Sequence, residues 1–317
     1  MDLTVVVPFV REWPQIAFTL RSIHEALIGV EHEILAIDNL MPKMEVDQGS
    51  GNVKGMANQT TKSGDPWLKY YPYQDKLSHW QCKNFGTNKA SADIMWFVDA
   101  HCEVGHDSVR SMFKFYKENW AELDGSIHLP LTYHILETKE LIYKAVIDRS
   151  TGNYGYSFNS YNPNLWPEVQ EVPVMSTCGM MIHKNYLDQL GGWPVELGIY
   201  HGGEHFINYC QAIIGLKKYI WKARPLFHHG DKRGYSWNHY DQRRNRCIAN
   251  YMFGGEELLT KWIETSAKLS ANEGARVKNN IMATCRKHRD HILSQQVFEI
   301  DEWIERWQGH ELMKLEG

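Results

Sequence analysis

No run of 18 apolar residues occurs in the 317-residue chain, and its first residues carry neither a basic n-region nor a long apolar h-region. A bilayer-spanning helix needs about 20 apolar residues, so no membrane anchor is expected, and the chain reads as cytoplasmic. The six cysteines, at 82, 102, 178, 210, 247 and 285, form no C-x-x-C pair and no even framework. A chain of this length builds a core without covalent staples, so free thiols in a reducing compartment are expected. Positive charge is not in surplus either, since 34 Lys and Arg face 38 Asp and Glu for a net charge of −4. The molecule as a whole therefore has no grip on nucleic acid or anionic lipid, although a local basic face stays open. Internal repeats and linkers are also missing.

What is present is a folded, enzyme-sized object: 43% hydrophobic and 23% charged residues exclude a long disordered chain. At roughly 150 residues per domain, the length fits two domains or one large α/β domain with an appendage. Histidine and tryptophan are plentiful, at 16 and 12. Core aromatics account for such an excess more readily than metal binding or ring stacking does.

Leu3 to Val7 is a β-branched run ended by Pro8, the pattern of a strand buried on both faces of a parallel sheet. Ile16, Leu20, Ile23 and Leu27 then recur at helical spacing behind Pro14, and Glu33 to Asn39 is an apolar strand that stops on an acid. Strand, helix, strand makes one right-handed βαβ unit. Residues 41–75 show no sustained period and read as a long loop. A helix over 78–90, a strand over 94–98 and a helix through Val109, Met112, Phe113, Tyr116 and Trp120 follow, the last capped by Asp107 or Ser108. The signal weakens between 124 and 173. A strand is predicted over 174–183, a helix from Gly203-Glu204 through Ile214, and a strand through Phe227 that ends on His228 and His229; the last 70 or so residues read as polar helices. Polar residues collect at the C-terminal ends of the strands, where open α/β sheets bind ligands.

The sharpest local feature is Phe97-Val98-Asp99-Ala100-His101-Cys102-Glu103. A carboxylate and an imidazole two residues apart, just past a strand, suit Mn²⁺, and Mg²⁺ less well because it prefers all-oxygen shells. On spacing alone, a surface turn with an incidental Asp and His accounts for them at least as well.

Asp99-Ala100-His101-Cys102-Glu103 resembles the D-x-H element of the polypeptide N-acetylgalactosaminyltransferases, within the GT-A glycosyltransferases whose family 2 members carry D-x-D there. Val5 to Trp13 with Thr19 to Ile23, Glu33 to Asn39, and His201-Gly202-Gly203-Glu204-His205 against the family's W-G-G-E-N are similar in the same order. Together these segments cover about half of the chain, residues 3–39, 79–104 and 172–237. The resemblance implies a GT-A, Rossmann-like α/β fold with a mostly parallel central sheet flanked by helices. It divides the chain into a catalytic domain over 1–240, with a nucleotide-binding half at 1–120 and an acceptor half at 121–240, and a helical C-terminal extension over 241–317.

The resemblance also implies metal-dependent transfer of a sugar from a UDP-linked donor to an acceptor hydroxyl, with Mn²⁺ or Mg²⁺ as the cofactor. Asp99 and His101 would hold the metal, joined by His228 or, next to it, His229. Asp38 would accept from the uracil N–H, with Phe9 and Glu12 on the other side of the pocket and Asn39 beside it. Lys83 and Asn84 would approach the nucleotide or diphosphate. Glu204 would sit nearest the reacting carbon, although an acid there also simply suits a helix N-terminus. Asp231 to Trp237 would close over the donor, with Arg233 or Lys232 on the diphosphate and Trp237 as a lid. Each has a plainer reading as a capping acid, a solvated cation or a surface loop.

The pattern departs from its relatives in two places. His205 stands where inverting family 2 enzymes carry the second acid of an E-D pair, which leans toward a retaining course. No lectin domain or anchor is expected, so the peptide acceptor does not carry over, leaving a DNA base, a carbohydrate or a protein hydroxyl. Arg243, Arg244 and Arg246, with Lys278, Arg286, Lys287 and Arg289, make a phage-type DNA glycosyltransferase acting on hydroxymethylated bases one alternative, beside solvated helix faces. A non-catalytic nucleotide-sugar or carbohydrate-binding module is the other.

Overall fold

A computed structural model describes residues 1–44, 48–105, 107–133, 140–162, 164–229 and 235–316. The chain begins β1 (Leu3–Phe9), α1 (Gln15–Ala26), β2 (His32–Asp38), α2 (Gln48–Lys62), β3 (Leu68–Pro72), α3 (His79–Lys89) and β4 (Ile94–Phe97). It continues through β5 (Cys102–Glu103), α4 (Ser108–Leu123), β6 (Gly125–His128), β7 (Leu131–Thr132), β8 (Glu140–Asp148), β9 (Asn153–Tyr161), β10 (Val169–Glu171) and β11 (Met180–His183). Then come α5 (Lys184–Gln189), α6 (Gly203–Ile213), β12 (Lys217–Trp221), β13 (Leu226–His228), α7 (His239–Thr265), α8 (Ala271–Leu293), α9 (Ile300–Arg306) and β14 (Met313–Glu316).

The central sheet runs β10-β12-β6-β11-β4-β1-β2-β3. β4, β1, β2 and β3 are mutually parallel, β11 runs against both β4 and β6, and β12 is parallel to β6. Every residue of β1 and β4 is buried, as their unbroken apolar runs require of strands covered by helices on both faces. Parallel β1, β2 and β4 end together, so Phe9, Asp38 and Asp99 are delivered to one edge.

A second sheet, β14-β8-β7-β13-β5 with β9 on β8, takes β7, β8 and β9 from residues 124–173, where the sequence signal was weak. Its consequence for the site is the antiparallel pairing of β5 with β13, which sets His228 opposite Cys102. The His229 N–H donates to the His101 carbonyl at 2.8 Å, continuing that register past the strand.

Several expectations need correction. Residues 41–75 contain α2 and β3 rather than one long loop. α2 buries only Gly49, Val53 and Ala57, small side chains four residues apart that leave no apolar stripe to read. The strand expected over 174–183 is confined to β11, because the Gly179 N–H donates to the Phe97 carbonyl at 2.7 Å and the chain turns there with φ near +92°. At the other end of the chain, the tail is helical as expected but finishes as β14, parallel to β8. Its helices also contribute Cys247, Ile248, Met252, Ile281 and Trp303 to the same hydrophobic core as the sheet. Among the described residues, no helix is long and apolar enough to cross a membrane, and all six cysteines are free and buried.

Candidate active site

Asp99, just past β4, His101, two residues on, and His228, at the end of β13, each place one ligand atom within 4.8 Å of the others. The His228 Nε2 lies 3.4 Å from one Asp99 oxygen, and the Lys83 Nζ lies 3.8 Å from the other. Burial alone would raise the Asp99 carboxyl. The Lys83 ammonium, then His228 and His101, together outweigh it, and the group is held well below the usual carboxylate range. Lys83 is itself 1% exposed. It reaches the site from α3 between the Trp80, Phe97 and Trp193 rings, 5.0, 5.9 and 5.9 Å from their centroids.

The orientation of His101 is set from behind. Its Nδ1 lies 2.8 Å from the Glu12 Oε1, both side chains are buried, and the second Glu12 oxygen accepts from the Val10 N–H at 3.0 Å. Nδ1–H donating to a carboxylate fixes the tautomer whose Nε2 carries the lone pair, the arrangement typical of a metal-bound histidine. One carboxylate and two imidazoles converging within 4.8 Å thus fit a borderline divalent ion.

Two cavities meet at Asp99. The narrower, about 40 Å³, is lined by Phe9, Glu12, Asn39, His101, Ile199 and Tyr235 among others. The larger, about 520 Å³, is bounded by Trp80, Tyr133, Tyr143, Tyr156, Thr177 and Glu204 as well as by Asp99 and His228. His79 lines both.

Glu204 opens α6 behind two glycines whose use is steric. A Cβ on Gly203 would lie 2.3 Å from the Trp80 ring, and one on Gly202, at φ 80°, would lie 2.5 Å from the Asn245 carbonyl oxygen. Only bare backbone lets α6 seat its first turn on α3 and α7. Across the cavity the Tyr156 hydroxyl donates to the Glu204 Oε2 at 2.9 Å; burial first, then the Glu204 charge, hold this phenol far above its ordinary value, so it stays a donor. His205 turns the other way. Burial, then the Arg246 cation, keep it neutral well below its ordinary value, and its Nε2 accepts from the Arg246 guanidinium.

The other expected site residues divide. Asp38 stays in the strand-end layer, its two oxygens accepting from the Tyr70 hydroxyl at 2.7 Å and the Leu40 N–H at 3.0 Å. Asn39 shares its side chain with the Tyr73 and Lys76 carbonyls and the Ser78 N–H, tying the end of β2 to the cap of α3. Asn84 lines neither of the two cavities, because it exchanges hydrogen bonds with the Trp193 backbone at 2.8 and 2.9 Å. His229 faces Glu103 at 3.4 Å, away from the three converging donors. Trp237 is 37% exposed and stacks on Tyr200, a cavity-lining ring, at 4.2 Å. Arg233 and Lys232 lie outside the described residues.

The basic residues of the tail are largely engaged. Arg243 and Arg244 donate to the Lys268 and Glu196 carbonyls, Arg246 is drawn inward to Asn153 and Tyr154, Lys278 pairs with Glu256, and Arg289 donates to the Tyr251 carbonyl. What the sequence reading left unassigned is the aromatic wall from β8 and β9: Tyr143, Tyr156 and Phe158. Its available signal was the alternation Tyr154, Tyr156, Phe158 inside a stretch otherwise rich in Asn and Ser.

By sequence the chain matches no protein-family profile and no curated protein. By structure it is similar to GalNAc-T7, solved with UDP, GalNAc and Mn²⁺, at a TM-score of 0.64 and 15% identity; the likeness covers 98% of this chain and 58% of that one. It is also similar to the 1–349 segment of S. aureus TarS, with a TM-score of 0.52 and 10% identity in the complex with UDP-GlcNAc, covering 96% of this chain and 89% of that one. The same segment without a named ligand gives 0.51 and 12% over equal coverage. The fold these likenesses define is the GT-A type, a mixed α/β sheet flanked by helices. The chain spans 58% of the length of the GalNAc-T7 chain.

Proposed function

We propose that this protein is a metal-dependent glycosyltransferase that moves a sugar from a UDP-linked donor to an acceptor hydroxyl. The observation that carries the reading is the convergence of Asp99, His101 and His228 within 4.8 Å where two cavities meet. A second support is the fold, shared with structures that contain UDP, UDP-GlcNAc and Mn²⁺.

Asp99, His101 and His228 would hold a divalent ion, Mn²⁺ in preference to Mg²⁺ because two of the three donors are imidazoles. Bound there, the ion supplies Lewis-acid neutralisation of the charge developing on a diphosphate leaving group. Lys83 keeps Asp99 ionised and adds a positive charge on the same side. The Phe9, Glu12 and Asn39 side takes the nucleotide, and the larger cavity takes the sugar and acceptor. Glu204, steadied by Tyr156, supplies the negative charge facing the sugar as its anomeric carbon becomes cationic. Trp237 and Tyr200 stack at the rim and exclude water that would otherwise hydrolyse the donor. A retaining course fits His205, since its Nε2 lone pair is taken by Arg246 and cannot serve as the base.

The test is UDP release from a panel of UDP-sugars, with and without Mn²⁺, against nucleic-acid, carbohydrate and peptide acceptors. Transfer that EDTA abolishes and Mn²⁺ restores supports the reading. Metal-dependent nucleotide binding with no hydrolysis or transfer to any acceptor would make the protein a binding module instead, and full activity in Asp99→Ala would refute the role of the metal.

A further inference from the structure

We infer that Cys102, Cys178 and His228 form a second metal site, selective for thiophilic divalent cations such as Zn²⁺ or Cd²⁺, whose occupation takes His228 from the Asp99 and His101 pair. The Sγ atoms of Cys102 and Cys178 lie 3.4 Å apart, and one ligand atom from each of the two cysteines and His228 fall within 4.8 Å of one another. All three side chains are buried, and both cysteines are free thiols.

The fold imposes this meeting from two directions. Pairing of β5 with β13 puts His228 opposite Cys102, and the turn at Gly179 carries Cys178 beneath the end of β4. Cys178 and His228 also border the larger cavity, which gives an ion a route in. Two thiolates and one imidazole are the donors that Zn²⁺ and Cd²⁺ prefer, whereas the oxygen and imidazole donors beside them suit a harder ion.

Binding M²⁺ displaces one proton from each thiol, so two thiolates neutralise the ion and no net charge is left in the core. Because the imidazole of His228 belongs to both donor sets, a thiophilic ion and a Mn²⁺ ion compete for it. The competition rests on the proposed role of Asp99, His101 and His228; the thiol site itself does not.

The experiment titrates Cd²⁺ into the whole protein, kept reduced by a phosphine. The expected result is an ultraviolet sulfur-to-cadmium charge-transfer band that saturates at one Cd²⁺ per chain with release of two protons. Cys102→Ser and Cys178→Ala should lose the band, and Cys285→Ala should keep it. If either of these two variants fails to fold, the wild-type band and proton count decide. In a parallel titration of the Mn²⁺-loaded protein, the electron paramagnetic resonance signal of free Mn²⁺ should rise as the band grows. Absence of the band, or its persistence in folded Cys178→Ala, overturns the site. Full Mn²⁺ retention at saturating Cd²⁺ overturns the competition, while a band in a protein that binds no Mn²⁺ leaves the thiol site standing and removes the catalytic metal.

Discussion

Replacing Glu12 by alanine should weaken Mn²⁺ binding without removing any atom that touches the metal. The Glu12 carboxylate holds the His101 Nδ1 at 2.8 Å in a pocket where His101 is 6% and Glu12 7% exposed. Without it, the buried ring N–H loses its acceptor, at a cost of about 1 to 3 kcal/mol, and the ring is free to turn its lone pair away. Carboxylates behind metal-bound histidines are worth roughly 10- to 100-fold in metal affinity, about 1.4 to 3 kcal/mol, the same range. Glu12→Gln should lose less, because one amide oxygen still accepts from Nδ1–H, but the amide nitrogen cannot accept from the Val10 N–H as the second carboxylate oxygen does. The assay is a Mn²⁺ titration followed by electron paramagnetic resonance with no nucleotide present, so that the altered wall of the narrow cavity does not enter. Affinities ordered wild type, Gln, Ala are expected. If Glu12→Ala binds Mn²⁺ as tightly as wild type while Asp99→Ala does not, Glu12 does not position His101.

Asp99→Asn should abolish metal-dependent UDP release and also lower the melting temperature of the apo protein, because the buried Lys83 ammonium loses its carboxylate; adding Lys83→Met should restore the melting temperature but not activity. Tyr156→Phe should lower kcat roughly 10- to 100-fold, since Glu204 loses a hydrogen bond to a charged group worth about 1.5 to 3 kcal/mol; an unchanged kcat would show that Tyr156 does not steady Glu204 for the reaction. Lys218 is buried with its Nζ on the Asn208 carbonyl at 3.1 Å, and burial brings its pKa down to about 7. The unfolded chain keeps that proton up to about pH 10.4, so between pH 7 and 10 the unfolded state binds more protons and stability should rise with pH. The gain is at most about 5 kcal/mol, and Lys218→Met should flatten the slope in urea melts.

How far the sequence reached follows from the range of the contacts involved. β1, β2 and β4 were legible because burial on both faces writes an unbroken apolar run, and Asp38 and Asp99 at the ends of β2 and β4 marked the edge where open α/β sheets bind ligands. Asp99 and His101 were legible as a pair because they are two residues apart. The third of the converging donors depends on β5 meeting β13, with His228 129 residues from Asp99, and only the family resemblance pointed to it. Glu12 reaches His101 across 89 residues, and Cys102 reaches Cys178 across 76, so no local pattern could disclose either contact. The aromatic hairpin was missed for a different reason. Tyr154, Tyr156 and Phe158 do alternate with smaller or polar residues, but that period marks only a strand, and nothing local shows that its aromatic face lines a cavity rather than a core.

The most direct test of the proposed site is a crystal structure grown with Mn²⁺ and UDP, measured for anomalous scattering at the manganese edge. One strong peak is expected within coordination distance of Asp99, His101 and His228, with the diphosphate on it and the uridine on the Phe9 and Asn39 side. A peak elsewhere, or UDP bound with no peak at these three residues, would contradict the assignment.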